Sequence, residues 1–307
     1  MDQSNKQIED LLRVGIEHHK AGDTGKAESA YRNALQIDPK QPRALHLLGV
    51  IACQMGENEA AVDLIVKSIE LEASDPKAHY NLGVAYQGLG QFGDAAESYQ
   101  KALTIQSDYA EAYSSLGVAL MELECPDQAL ANYYKAIAIR PNFPEAHCNL
   151  AAALLDQGQL AEAETACRKA LSIKPDYPEA HNNLGNVLRE LGMFHEAVNS
   201  YQKALATNSR YVPALLNLGA TRGKLGMMKE AIISYQEALL IEPESADAHY
   251  NLGDVFQEVG QLQDAMKSYK KALSNNPKFA RAHNNLGGIF LALGDPKEAA
   301  RCCERAI

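Results

Sequence analysis

The dipeptide Leu-Gly returns along this chain at a fixed interval: Gly49, Gly83, Gly117, Gly185, Gly219, Gly253 and Gly287 are 34 residues apart or a multiple of 34. A period of that length means that each unit is one supersecondary element, too small to bury its apolar face alone, and that stacked neighbours supply the core. The 307 residues are therefore read as an array and not as two globular domains. Started at Ile8, the frame gives units 8–41, 42–75, 76–109, 110–143, 144–177, 178–211, 212–245, 246–279 and a ninth, 280–307, that stops six residues short. Residues 1–7 form an N-terminal extension, and no unit carries an insertion.

The same chemistry recurs inside each unit. Position eight is Gly except in the fifth unit, where Ala151 stands, and position twenty is Ala throughout, from Ala27 and Ala61 to Ala265 and Ala299. Small residues at both places predict a close approach of two helices, with the alanine as the facing half of the contact. A second glycine at position fifteen, such as Gly56, Gly192 or Gly260, follows an amphipathic run as a left-handed helix cap would. The apolar stripe Ala197, Tyr201, Ala204, Leu205 then predicts a second helix, closed in five units by Pro39, Pro141, Pro175, Pro243 or Pro277. Each unit reads as helix, turn, helix, and the fold class as all-α.

Together with an aromatic at position twenty-four (Tyr31, Tyr99, Tyr133, Tyr201, Tyr235, Tyr269), this pattern resembles the tetratricopeptide-repeat family across 8–307. The resemblance implies a right-handed α-solenoid superhelix of about nine helix-turn-helix units. It also implies that the first helices line a concave groove, with positions two, five, six, nine, twelve and thirteen pointing into it. Departures are local: Ile65, Ser68 and Ala73 in the second unit, and Glu124-Cys125-Pro126 where the fourth should carry its turn glycine.

Composition narrows the function classes. A net charge of −10 argues against a nucleic-acid partner, and no apolar run approaches the ~18 residues of a membrane span. The start lacks the basic and apolar segments of a secretory signal, so a cytoplasmic or nucleocytoplasmic location is expected. The six cysteines show no ligand spacing and read as reduced thiols, with Cys167 and Cys303 on the buried face where other units place Tyr. His79, His147, His181, His249 and His283 all occupy position four. Successive copies are displaced by about a helix diameter, roughly 10 Å against ~2 Å for a zinc–nitrogen bond, so they are expected to pack hairpins and not to share a metal. No nucleotide loop, nucleophile elbow or paired-carboxylate motif is present, and neither catalysis nor a cofactor is expected.

Position six carries Asn81, Asn149, Asn183, Asn217, Asn251 and Asn285, the last five in unbroken succession. A carboxamide both donates and accepts, so a line of them in the groove would hold an extended peptide by its backbone. The other reading is that these amides bond locally or to water, since Asn is common at this position in the family. Groove charge is mixed, with Glu179, Asp247 and Asp254 against Arg43, Lys77 and Arg281, which favours a polar or partly basic ligand over an acidic one. The partner expected is thus a protein or extended peptide.

The phrases Ala78-His-Tyr-Asn-Leu-Gly83 and Ala248-His-Tyr-Asn-Leu-Gly253 are similar to the repeats of O-linked N-acetylglucosamine transferases and Spindly-type relatives. That resemblance implies the substrate-recruiting, non-catalytic region of a glycosyltransferase. The alternative is a free-standing adaptor or assembly factor, though the lysines of a carboxylate-clamp adaptor are absent from position five. The C-terminal end, Cys302 to Ile307, stops in mid-helix without a polar cap, so the expectation is either a longer parent protein or self-association through that end.

Overall fold

The computed structural model describes residues 3–306, and among them the chain forms eighteen helices and no strand. The first hairpins are α1 (Gln3–Lys20) with α2 (Thr24–Ile37), α3 (Pro42–Gln54) with α4 (Asn58–Leu71), α5 (Pro76–Gly88) with α6 (Phe92–Ile105), and α7 (Ala110–Glu122) with α8 (Pro126–Ile139). Next come α9 (Pro144–Asp156), α10 (Leu160–Ile173), α11 (Pro178–Glu190), α12 (Phe194–Thr207), α13 (Val212–Lys224) and α14 (Met228–Ile241). The last four are α15 (Ala246–Glu258), α16 (Leu262–Asn275), α17 (Ala280–Ala292) and α18 (Pro296–Arg305). Contacts divide the chain into two compact units, one ending at Ala153 and the other beginning at Leu154. Each is an all-α repeat solenoid. Residues 3–7, set apart in the sequence as an extension, are the first turns of α1.

Two backbone devices make the hairpin. Proline occupies the first helical position of α3, α5 and α11, where its missing N–H is one of the four that a helix leaves unpaired. Glycine at position fifteen takes φ between 71° and 80° in eight repeats, and the next residue donates back across it, as Met193 N does to Leu188 O at 2.8 Å. The fourth repeat keeps this geometry without glycine. Glu124 adopts φ 57°, and Cys125 N reaches Leu120 O at 2.9 Å. Tertiary packing on both sides of the turn thus holds a residue where the backbone alone disfavours it.

The close approach at position eight differs from the expectation. A Cβ on Gly83 would meet Tyr99 Cε1 at 2.5 Å, one on Gly219 would meet Tyr235 Cε1 at 2.7 Å, and Gly253 stands in the same relation to Tyr269. The glycine faces the aromatic of position twenty-four and not the alanine of position twenty. The reason is rotameric: long helical side chains lean back toward the N-terminus, so the ring lies over the preceding turn and reaches the first helix. Ala95, Ala197 and Ala265 are fully buried beneath those rings. In the second repeat Ile65 takes the place of the ring, its Cγ1 2.5 Å from a Cβ on Gly49, with Ala61 O at 3.3 Å.

Apolar clusters run from one hairpin into the next, as in Ile8, Leu12, Tyr31 and Ala34 with Leu48 and Ile51. Cys167 is buried as expected, whereas Cys303 is exposed and its neighbour Cys302 is buried instead. Both reach α17, with Cys302 Cβ 3.3 Å and Cys303 Sγ 3.6 Å from where a Cβ on Gly287 would be.

Candidate peptide-binding face

First helices of adjacent hairpins touch, α3 with α5 and α5 with α7 in one unit, α11 with α13 and α13 with α15 in the other. Second helices do not approach each other as closely. In each unit the first helices therefore line the inner side of the curve.

The histidines of position four anchor this face from behind. Nε2 of His79, His147, His181, His249 and His283 lies 2.9–3.0 Å from the carbonyl six residues earlier, on Ala73, Pro141, Pro175, Pro243 and Pro277. A carbonyl only accepts, so Nε2 carries the proton. Each imidazole pins the exit turn of one repeat to the first helix of the next. Nδ1 of His79, His181 and His283 is buried without a partner, and burial lowers the His181 pKa ahead of the opposing effect of its bond to Pro175. These rings are packing groups. No cluster of three or more metal-ligating side chains occurs among the described residues.

All six position-six asparagines are half-buried. Three of them, Asn81, Asn217 and Asn285, bond side chains of the preceding repeat. Asn81 Nδ2 lies 2.7 Å from His46 Nε2, Asn217 Nδ2 donates to Asn182 Oδ1 at 3.0 Å, and Asn285 Nδ2 donates to Asp254 Oδ1 at 2.8 Å and Tyr250 Oη at 3.3 Å. His46, Asn182 and Tyr250 are each at position five of the preceding repeat, 35 residues back. Ser115 meets Tyr80 in the same register at 3.4 Å. In these pairs a polar residue at position five takes up the polar side chain of the next first helix, whereas Ser114, in the same register before Asn149, does not. Where position five is Leu216, Asn251 makes no side-chain hydrogen bond among the described residues, and Asn149 makes none either. Asn183 is engaged.

Further side chains complete the bonded sets. Arg189 donates to Asn217 Oδ1 at 3.2 Å, and Tyr201 Oη donates to Asn186 Oδ1 at 2.8 Å. Tyr269 Oη donates to Asp254 at 2.7 Å; burial and that carboxylate raise its pKa. With Asn81 donating to Nε2, the His46 proton sits on Nδ1, 3.4 Å from Asp75 Oδ2. Burial lowers the His46 pKa and Asp75 partly restores it. Sequence reading missed these partners because it compared position six only with itself; the signal was the polar residue one place earlier in the preceding repeat.

Tetratricopeptide-repeat profiles match residues 18–82, 76–109, 110–143, 142–210 and 250–307, and a TPR repeat profile matches 224–260. The chain belongs to the tetratricopeptide-repeat family. Among solved structures, a chain of the APC/C hetero-tetramer Cut9–Hcn1 superposes with a TM-score of 0.68 at 17% identity, over 100% of this chain and 57% of that one. This TPR protein therefore spans little more than half the length of that chain, and the likeness is one of fold. MamA is 27% identical over 56% of this chain and 94% of its own, with a TM-score of 0.49. YrrB, a TPR protein with an unusual peptide-binding site, is 23% identical over 62% of this chain and 97% of its own, also at 0.49. A search of curated proteins returns no match. Among the described residues of this TPR protein no helix is long and apolar enough to cross a membrane.

Proposed function

We propose that this chain is a recruiting scaffold whose inner face holds a protein partner as an extended polypeptide. The observation that carries this reading is the state of Asn149 and Asn251. Both stand half-buried on the first helices with unpaired amides, while equivalent positions are bonded within the fold. A half-buried amide without a protein partner can give a peptide backbone the donor and acceptor it needs. Asn81 shares the inner face of one unit with Asn149, and Asn183, Asn217 and Asn285 share that of the other with Asn251; they contribute by fixing the spacing of the first helices or by exchanging a partner. Catalysis is assigned to no residue of the chain.

Photo-crosslinking tests the surface. A photoreactive residue at position 251 should capture a display-selected peptide, and one at position 240, where Leu240 is 82% exposed on α14, should not. Capture at 240 and not at 251 would refute the inner-face reading.

A narrower proposal is that the scaffold is the substrate-recruiting arm of a glycosyltransferase resembling O-linked N-acetylglucosamine transferases. It is supported by the phrases Ala78 to Gly83 and Ala248 to Gly253. Co-purification of transferase activity with the native protein tests it, and association with an unrelated assembly would favour the adaptor reading.

A further inference from the structure

Several repeats place an aromatic residue at position thirty-four, just before the next first helix, and a cation covers Phe143, Tyr177 and Phe279. Arg140 lies 5.0 Å from the ring centre of Phe143, and Lys174 lies 4.4 Å from that of Tyr177. Arg281 covers a pair, 5.6 Å from Phe279 and 5.3 Å from Tyr250, which are themselves 4.9 Å apart. These separations fall within the ~6 Å over which a cation is attracted to a ring face.

One pair of the same construction lacks its cation. Tyr80 and Tyr109 occupy the positions of Tyr250 and Phe279, five repeats earlier, with ring centres 5.1 Å apart. Tyr99 backs Tyr80 at 5.6 Å as Tyr269 backs Tyr250 at 5.8 Å. Both Tyr80 and Tyr109 are half-buried, and no cation lies over either ring among the described residues. The residues that would supply one are changed: Glu111 stands where Arg281 stands, and Gln106 where Arg140 and Lys174 stand. Beside burial and Tyr80, the carboxylates of Glu111 and Asp75 raise the Tyr109 pKa, opposed by Arg140. That guanidinium is already committed, bonded to Glu111 at 2.7 Å and stacked on Phe143.

We propose that the Tyr80–Tyr109 shelf is the seat for an arginine side chain of the bound polypeptide, which takes the place that Arg281 fills from within the chain at the equivalent pair. This rests on the peptide-binding reading above and adds the side chain that the face selects. Arginine is favoured over lysine because a planar guanidinium stacks on a ring while its edge remains free to bond a carboxylate such as Glu111. The overall charge of −10 acts in the same direction, drawing basic segments to the protein.

The test uses the whole protein and two labelled peptides selected on it by display, each then remade with its arginines replaced by glutamine. Arginine should be enriched among the selected sequences, and its replacement should weaken binding about fivefold or more, as the loss of a partly desolvated cation–π contact does. Tyr109→Leu should remove that preference, and the ring resonances of Tyr80 and Tyr109 should shift only with the arginine peptide. Glu111→Arg should fill the shelf from within, as Arg281 does, and lower affinity for the arginine peptide but not for its glutamine form. Peptides that bind the inner face equally well in both forms would overturn the arginine seat and leave the groove reading standing. If no peptide binds the inner face at all, both are overturned.

Discussion

The ring of Tyr201 occupies the space that a side chain on Gly185 would need: a Cβ there would lie 2.7 Å from Tyr201 Cδ1 and 2.8 Å from Cζ. Tyr201 is fully buried, so its ring has nowhere to retreat. Gly185→Val should overpack the sixth hairpin and cost about 1–3 kcal/mol, read as a lower denaturant midpoint. The two sites should also couple. In a Gly185→Ala/Tyr201→Leu double variant the alanine should cost less than it does alone, and strict additivity would contradict the contact.

The turn at Glu124 gives the opposite expectation. Its φ of 57° is the conformation that eight glycines adopt in the other repeats. Glu124→Gly should raise stability, since a left-handed residue with a side chain carries a penalty of roughly 1–2 kcal/mol, offset in part by the greater freedom of glycine in the unfolded chain. Gly192→Ala, at φ 76° with open space around it, should lower stability by a similar amount. Thermal unfolding of the two variants checks the pair.

Bonded and unbonded asparagines should separate in a stability measurement. Asn285→Ala removes the donor to Asp254 and Tyr250, and a loss of about 1–2 kcal/mol is expected from the broken bonds and the acceptors left behind. Asn251→Ala breaks no bond within the chain, and alanine is the better helix former by up to about 0.7 kcal/mol, so stability should hold or rise slightly. Equal losses at both positions would contradict the assignment of partners.

Acid should loosen the array in a defined window. His181 and His46 have folded pKa values below the ordinary 6.5, with burial the leading cause in both. Above 6.5 both rings are neutral in either state. As pH falls below that value the unfolded chain takes up protons that the folded one refuses, so stability decreases until the folded pKa values are reached. The melting temperature should drop between pH 7 and pH 5, and His181→Gln should show a shallower drop.

Much of this was legible in the sequence because the 34-residue period ties each residue to a known place in a hairpin. Position-fifteen glycines announced the turns, and histidines spaced by the period announced packing. The partner of glycine eight was misassigned because spacing reports which residues share a face, not how far a side chain leans along it. Tyr99 and Tyr235 lean far enough for their ring atoms to be the nearest neighbours of the glycines. A trace of the pairing was present in the fifth repeat, where the sequence carries a larger residue at position eight, Ala151, together with a smaller one at position twenty-four, Cys167. The state of the groove amides was hidden for a different reason. Whether Asn217 or Asn251 is free depends on Asn182 or Leu216, one place earlier in the previous repeat, so a comparison of equivalent positions cannot show it.

The central claim, that unpaired amides on the inner face hold a polypeptide, is tested most directly by affinity. Fluorescence anisotropy of a labelled display-selected peptide should be measured on the parent, on Asn149→Ala, on Asn251→Ala and on Leu240→Ala as an outer-face control. The account predicts a loss of about 2- to 10-fold for each asparagine variant, the equivalent of roughly 0.5–1.5 kcal/mol per hydrogen bond, with unchanged melting temperature and no loss for the control. Parent-like affinity in both asparagine variants, with the fold intact, would contradict it.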